Sequence, residues 1–160
     1  MNNQSPKGSR IAKVLSRAGI ASRREAEKII LEGRVKVNGE ILISPAFNVV
    51  DSDIILIDGD PIAKPDEERL WCFHKPVGAV TTAKDDKNRK TIYEYFPSNL
   101  PRVMPVGRLD LNSEGLLLLT NSGELKRKLE LPSSELSRIY RVRVKGRPKE
   151  VSLDLLRSGI

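Results

Sequence analysis

The pattern of apolar and polar residues along the chain begins with two short segments that predict amphipathic helices. The first has apolar residues at the spacing of one helical face, i, i+3, i+4 and i+7: Ile11, Val14, Leu15 and Ala18. Ser9 is the predicted N-cap of this helix, and Gly19 is its predicted C-terminal stop. Ser22 and Glu25 then form a Ser-x-x-Glu capping box for a second helix, which Gly33 ends. The pattern therefore predicts two consecutive helices.

A change to alternating residues predicts a small sheet after these helices. The segment 35–41 alternates apolar and polar residues and is broken by Asn38-Gly39, a strong signal for a two-residue hairpin turn. A further strand is predicted over 54–57. The N-terminal unit, residues 9–62, is thus predicted to be two helices followed by a β-sheet.

Strand and helix patterns interleave in the rest of the chain. Residues 63–68 are polar without an apolar period, so we interpret them as a linker. Beyond the linker, the patterns predict strands over 69–75, 102–107, 115–120 and 138–145, and helices over 91–96, 122–130 and 148–158. The apolar run 116–119 predicts a strand that is buried on both faces. The predicted fold class is α+β: a small two-helix and β-sheet domain, then part of a mixed α/β domain, 69–160, with a largely antiparallel sheet.

Composition limits the class of protein. With 160 residues, 39% of them hydrophobic, the chain can bury a core. Its single cysteine, Cys72, excludes an intramolecular disulfide, disfavours a structural zinc site and is predicted to lie in the core. No apolar run approaches the roughly 20 residues of a membrane helix, and the N-terminus lacks the apolar segment of a secretory signal. We therefore predict a soluble, cytoplasmic protein without a membrane partner, monomeric by default, with a disordered tail over residues 1–8.

Positive charge is unevenly distributed. The net charge is +7, from 28 Lys and Arg against 21 Asp and Glu. Residues 7–36 hold nine basic and three acidic side chains, whereas residues 37–68 hold one basic and eight acidic ones. A compact cationic region favours an anionic partner, and nucleic acid is the first candidate. The alternative is that the charge serves only solubility.

The N-terminal cations fall on shared helix faces. Arg10, Lys13 and Arg17 are spaced i, i+3 and i+7 on the first helix, and Arg24 and Lys28 are spaced i and i+4 on the second. Phosphates favour such a surface, since each one neutralised releases counterions, and the second helix also offers free amides at its N-terminus. The candidate RNA-binding residues are Arg10, Lys13, Arg17, Ser22, Arg23, Arg24, Lys28, Arg34 and Lys36. The alternative is a solvated polar face.

A strand–turn–strand motif in the second unit carries the candidate chemistry. A predicted strand ends in Gly107-Arg108-Leu109-Asp110, a turn follows, and the apolar run begins at Leu116. Arg108 and Asp110, at i and i+2, can point to the same side of an extended segment. An arginine beside an aspartate keeps the carboxylate ionised and oriented. The alternative is a structural ion pair that fixes the turn.

Three strings stand out in the N-terminal unit: ASRREAE (21–27), GRV (33–35) and VNG (37–39). With these strings, residues 9 to about 62 resemble the small RNA-binding domain of ribosomal protein S-four. The resemblance implies binding to structured RNA through the two-helix face. Double-stranded RNA is recognised mainly through its shape and backbone, so cations without exposed aromatic residues suit this role.

Three strings stand out in the second unit: HKPVG (74–78), GRLDLNSEGLLLLTNSGEL (107–125) and SRIYRVRVKG (137–146). With these strings the unit resembles the pseudouridine synthases that act on ribosomal RNA. An N-terminal RNA-binding domain of the kind described above marks one branch of that family. Family members continue further, so the resemblance implies that 69–160 is the N-terminal part of the catalytic domain and that the chain is C-terminally truncated.

The resemblance assigns roles to three residues. Asp110 is the implied catalytic carboxylate, Arg108 is implied to pair with it and to help displace the uridine, and Tyr140 is implied to pack against the flipped base. The uridine must leave its helix before a carboxylate can attack, or stabilise charge at, the anomeric carbon. Because the base only rotates and rejoins through carbon, no metal or other cofactor is expected. Without the resemblance, Tyr140 would be interpreted as a core aromatic residue.

Two functional hypotheses follow from these patterns. The first is an isomerase that converts a specific uridine of ribosomal RNA, with the large subunit slightly favoured, to pseudouridine during ribosome biogenesis. The alternative is a non-catalytic protein that binds structured RNA, such as a ribosome assembly factor, through the N-terminal unit. DNA binding is a weaker third hypothesis because the two helices are short. No sequence feature names the target uridine.

Overall fold

The computed structural model describes residues 8–159, so the predicted disordered tail lies, apart from Gly8, outside the described residues. The strands are β1 (Ser9–Arg10), β2 (Val35–Val37), β3 (Glu40–Leu42), β4 (Asn48–Val49), β5 (Ile55–Ile57), β6 (Asp60–Pro61), β7 (Leu70–Lys75), β8 (Met104–Val106) and β9 (Gly115–Thr120). The α-helices are α1 (Ile11–Arg17), α2 (Arg23–Leu31), α3 (Gly123–Glu130) and α4 (Glu150–Arg157), and short 3-10 helices span Ile92–Tyr95 and Pro132–Ser134. None of the described helices is long and apolar enough to cross a membrane.

The two N-terminal helices form as predicted, but only one of the two predicted caps is present. Ser22 Oγ accepts a hydrogen bond from the backbone N–H of Glu25 at 3.2 Å, and the Glu25 carboxylate accepts one from the backbone N–H of Ser22 at 2.8 Å. This capping box confirms the prediction. The predicted cap at Ser9 is wrong: Arg10 is the N-cap of α1, and no side chain caps that helix. Ser9 instead pairs with Val49 in a short antiparallel ladder, which holds its backbone extended before the helix starts.

The sheet of the N-terminal unit is antiparallel, in the order β3-β2-β5-β6. Asn38 and Gly39, with φ of 51° and 89°, join Val37 directly to its partner Glu40, which confirms the predicted hairpin turn. One face of this sheet packs against the two helices and forms an apolar core with them. The fully buried residues of this core are Ile11, Leu15, Ala26, Ile30 and Val35.

The second unit is built on a three-stranded antiparallel sheet in the order β7-β9-β8. One face of this sheet is covered by a second apolar core, whose buried residues are Ala79, Ile92, Val103, Leu117 and Leu119. Phe73 and Phe96 meet edge to face in it, with ring centroids 5.1 Å apart. The helix predicted over 122–130 forms as α3, the one over 148–158 as α4, and the one over 91–96 as a 3-10 turn. Mixed helix and antiparallel sheet confirm the α+β class.

Two predictions about burial in this sheet are wrong. The run 116–119 is buried on one face only, since Leu117 is 3% exposed and Leu116 is 66% exposed. Cys72, predicted to lie in the core, is exposed beside Leu118 on the same uncovered face. An unbroken apolar run cannot distinguish a strand buried on both faces from one that is buried on one face, because burial depends on what packs against the sheet.

The predicted strand over 138–145 is also wrong in the structure. These residues form no strand, and all of them are exposed, with Ile139 at 96%. Their alternation of cationic and apolar side chains is a strand pattern, but a strand also needs a neighbour to accept and donate its backbone hydrogen bonds. No strand within 8–159 supplies one.

Candidate active site

Asp110 lies on a tight turn between two strands of the second sheet. The turn connects the end of β8 to the start of β9, and the backbone N–H of Ser113 donates to the Asp110 carbonyl at 3.0 Å. Gly107, with a φ of 73°, redirects the chain immediately before Arg108. Both the Arg108 and the Asp110 side chains are exposed. The fold thus presents a carboxylate to solvent from a turn between two paired strands.

A buried lysine lies beneath this turn. The Lys75 side chain is fully buried, and its Nζ donates to the carbonyls of Pro76, Asp110 and Ser113 at 3.1, 2.9 and 2.8 Å. Three acceptors satisfy all three donors of an ammonium group. Burial lowers the pKa of Lys75, and the negative charge of Asp110 opposes that shift. Lys75 therefore fixes both ends of the turn and places a positive charge close to the Asp110 carboxylate.

A second clamp holds the residue between Arg108 and Asp110. Thr81 Oγ1 donates to the Leu109 carbonyl at 2.9 Å and accepts from the Leu109 backbone N–H at 3.3 Å. The backbone N–H of Gly78 donates to the carbonyl of Leu111 at 2.8 Å. The segment that follows β7 therefore holds the turn by its backbone on both sides of Asp110.

Helix α3 anchors the approach to the turn. Glu130 Oε1 accepts from the backbone N–H of Gly107 at 2.7 Å and from Lys126 Nζ at 2.6 Å. Lys126 also donates to the carbonyl of Pro105 in β8. Burial raises the pKa of Glu130, but the hydrogen bonds and charge of Lys126 and the Gly107 N–H outweigh it, so that the pKa lies below its ordinary value. An ionised Glu130 therefore ties the helix to the start of the Arg108–Asp110 segment.

Neither Lys75 nor Thr81 was predicted from the sequence as a site residue. The string HKPVG marks the segment, but lysine is among the residues least expected inside a protein, so its pattern gives no sign of burial. The acceptors of Lys75 include carbonyls 35 and 38 residues away along the chain. One sequence feature could have pointed to Lys75 as a site residue: it lies at the end of a predicted strand and inside the HKPVG motif.

The three predicted catalytic residues are not assembled into one cluster. Arg108 and Asp110 share the turn, yet no ion pair joins them among the residues the structure describes. Tyr140 is 65% exposed, in the segment that was predicted as a strand. Within the described range, no hydrogen bond connects the Tyr140 side chain to the turn. The fixed element of the site is therefore the Asp110 turn.

The nine predicted RNA-binding residues divide into two groups. Some are held by internal contacts: Lys13 pairs with Glu124 at 2.7 Å, Arg34 with Asp58 at 2.6 Å, the Arg10 guanidinium donates to the carbonyl of Ala46, and Ser22 caps α2. The others are exposed and form no ion pair with any described residue: Arg17, Arg23, Arg24, Lys28 and Lys36. The helix faces therefore present a smaller set of free cations than the sequence alone suggested.

The described residues contain no group of three or more His, Cys, Asp or Glu side chains placed to hold a metal ion. The chemistry available at the turn is that of a carboxylate on a rigid support, with an arginine two residues away. The backbone around that carboxylate is held by a buried ammonium and a hydroxyl group. Such a group can act as a nucleophile, a base or an electrostatic stabiliser.

Comparison with known families places the chain in one of them. Residues 69–155, more than half of the chain, match the family described as RNA pseudouridylate synthase. The chain belongs to the RNA pseudouridylate synthase family. Residues 9–55 match the S4 domain. Both resemblances inferred from the sequence strings are thereby confirmed.

Individual members of this family align with most of the chain. An uncharacterized RNA pseudouridine synthase of Rickettsia felis is 56% identical over 86% of this chain and 60% of its own length. The ribosomal large subunit pseudouridine synthase B of Bacillus subtilis is 42% identical over 94% of this chain and 62% of its own length. The chain thus spans about 60% of the length of these synthases. A crystal structure of a pseudouridylate synthase aligns with 75% of this chain and 51% of that chain, at 29% identity and a TM-score of 0.39.

Proposed function

We propose that this chain isomerises a specific uridine of ribosomal RNA to pseudouridine. The observation that carries the proposal is the exposed Asp110 carboxylate on a turn fixed by Lys75 and Thr81, in a chain of the RNA pseudouridylate synthase family. The substrate is inferred from the name of the Bacillus subtilis relative, a synthase of the large ribosomal subunit, and from the S4 domain. A large-subunit target is therefore favoured.

The proposed reaction needs a carboxylate in a fixed position. The target uridine leaves its stack and enters the space above the turn. Asp110 attacks, or stabilises charge at, the anomeric carbon while the glycosidic bond to nitrogen breaks. The base rotates, its carbon 5 bonds to the sugar, and the proton on carbon 5 is lost to solvent as nitrogen gains one. No net redox change occurs, so the proposal includes no cofactor.

Roles for the other predicted residues belong to the same proposal. Arg108 pairs with Asp110 and helps to displace the target uridine from its stack. Tyr140 packs against the flipped base. We further propose an RNA-binding domain over 9–62, a linker over 63–68 and part of a catalytic domain over 69–160, in a monomeric cytoplasmic protein.

The alternative is a non-catalytic protein that binds structured RNA, such as a ribosome assembly factor. The observation that favours it is the exposure of Tyr140 and of the whole segment around it. In that case the S4 domain would supply the function and the Asp110 turn would be structural.

The deciding experiment is tritium release from ribosomal RNA labelled at carbon 5 of uridine. We expect catalytic release by this 160-residue chain, with more than one uridine converted per molecule of protein. Binding to the same RNA, measured in parallel, separates the two hypotheses. Tight binding without release would overturn the proposed activity of this chain and favour the non-catalytic alternative.

Removing the free cations of α2 is expected to weaken RNA binding. Arg24 and Lys28 are exposed, one helical turn apart and free of ion pairs within the described chain. For every phosphate that is no longer neutralised, the slope of log affinity against log salt concentration should fall by about 0.7 to 0.9. The measurement is the salt dependence of ribosomal RNA binding by the Arg24→Gln/Lys28→Gln variant. An unchanged slope would contradict the role of this helix face.

A further inference from the structure

A cleft lies where the linker, α1 and the start of β8 meet. The lining residues that matter here come from all three segments and from the end of β9: Arg17, Gly19, Lys64, Asp66, Arg102 and Asn121. Arg17 closes the last turn of α1, Lys64 and Asp66 belong to the linker, and Arg102 stands two residues before β8. We call it the linker cleft. It is separate from the Asp110 turn, which lies at the other end of the sheet.

The two units face each other across the linker cleft. Lys13 of α1 pairs with Glu124 of α3 at 2.7 Å. The pKa of Glu25 lies below its ordinary value because its carboxylate accepts hydrogen bonds from Ser22, and the positive charge of Arg102 adds to that shift. Arg102 is therefore close enough to α2 to act on it electrostatically. The walls of the cleft thus belong to both units.

The charge inside the linker cleft is unbalanced. It contains three cationic side chains, Arg17, Lys64 and Arg102, and one carboxylate, Asp66. None of the three cations forms an ion pair with any residue in the range 8–159. Elsewhere in the N-terminal unit, cations such as Lys13 and Arg34 do have acidic partners. Glu25 lies close enough to Arg102, and Glu124 to Arg17, to interact with them electrostatically, but the lining itself has more cations than carboxylates, and such a concave site favours an anionic ligand.

One wall of the linker cleft is held rigidly. Asn121 Oδ1 accepts from the backbone N–H of Arg69 at 2.9 Å, and Asn121 Nδ2 donates to the carbonyl of Glu67 at 2.8 Å. These bonds tie the end of the linker to the end of β9. Two guanidinium groups and one ammonium group match the oxygens of a phosphate, which accepts paired N–H donors. The cleft therefore has both the charge and a fixed wall to hold one phosphate group.

We propose that the linker cleft binds a backbone phosphate of the same RNA whose uridine reaches the Asp110 turn. This inference rests on the proposed function, since it takes RNA as the ligand. Arg102 and Asp110 are eight residues apart along the segment that contains β8, so the cleft and the turn are at most about 29 Å apart. One folded RNA can span that distance. The cleft then couples the S4 domain to the catalytic turn by holding RNA between them.

The test is binding of large-subunit ribosomal RNA over a series of salt concentrations, with four single variants of this chain. Arg102→Gln and Lys64→Gln remove cations of the cleft, and Lys64 is exposed, so its replacement does not threaten folding. Asp66→Asn removes the carboxylate. Lys149→Gln is the matched control, because Lys149 is also exposed and lies outside the cleft.

We expect Arg102→Gln and Lys64→Gln each to weaken binding roughly threefold to tenfold and to lower the salt slope by about 0.7 to 0.9. Asp66→Asn should act in the opposite direction and tighten binding. If both cation variants behave like Lys149→Gln while the unaltered chain binds RNA, the cleft proposal is wrong and the proposed function stands. If the unaltered chain does not bind ribosomal RNA, the cleft proposal and the RNA-binding part of the proposed function both fail.

Discussion

Replacement of Asp110 by asparagine is expected to abolish pseudouridine formation while leaving the fold and RNA binding unchanged. An amide has nearly the same shape as a carboxylate, but it can neither attack the anomeric carbon nor stabilise positive charge there. We expect the rate to fall by roughly 10³-fold or more, as when a catalytic nucleophile is removed. The fold should tolerate the change, since the Asp110 side chain is exposed and Lys75 contacts its backbone carbonyl.

The measurement is single-turnover tritium release from labelled ribosomal RNA, with thermal unfolding and RNA affinity recorded for each protein. Glu114→Gln is the matched control. It removes a carboxylate from the same turn region, is exposed, and makes no hydrogen bond or ion pair inside the described range. Equal loss in both variants would point to a general charge effect, and full activity of the Asp110→Asn variant would contradict the proposed mechanism.

Replacement of Lys75 by methionine is expected to produce the largest loss of stability of any single lysine substitution in the catalytic unit. Methionine fills a similar volume but removes the Lys75 donor from the carbonyls of Pro76 and Ser113, and leaves the Asp110 carbonyl with only the backbone N–H of Ser113. Each unsatisfied buried acceptor is costly, although removal of a buried charge offsets part of the loss. We expect the free energy of unfolding to fall by about 2 to 4 kcal/mol.

Urea denaturation of the Lys75→Met variant measures this loss, with Lys87→Met as the control at an exposed lysine. Because the ammonium group holds the Asp110 turn, we also expect kcat to fall more than KM rises in whatever fraction stays folded. Rescue is not expected from Lys75→Arg, whose larger group does not fit a fully buried site. A variant as stable and active as the control would show that the three hydrogen bonds do not hold the turn.

Elements defined by local chemistry were predictable from the sequence. The capping box at Ser22 and the turn at Asn38-Gly39 depend on contacts within four residues, so the residues that make them stand together in the string. The same holds for the strands β7 and β9, whose length and apolar content are read directly. The position of Asp110 followed from the predicted strands on either side of it, 102–107 and 115–120.

Features that depend on distant partners were not predictable in this way. Ser9 was predicted as a cap from its position alone, but its pairing with Val49 extends the backbone there. The segment 138–145 has the alternation of a strand, yet without a neighbouring strand in the described chain it stays irregular and exposed. Lys13 on the first helix forms an ion pair with Glu124, which is 111 positions away along the chain, so its pairing could not be predicted from nearby residues.

Spacing and side-chain preference within a few residues were enough to specify the two helices, the hairpin, the antiparallel strands and the motif that carries Asp110. The burial of Lys75, the clamp of Thr81 on Leu109 and the exposure of Leu116 became visible only in the folded chain. The physical reason is that burial and hydrogen-bond satisfaction are properties of packing. Lys75 is buried where the carbonyls of Asp110 and Ser113, in a turn 35 and 38 residues away, join that of the adjacent Pro76 around its ammonium group, and that arrangement exists only once the chain has folded.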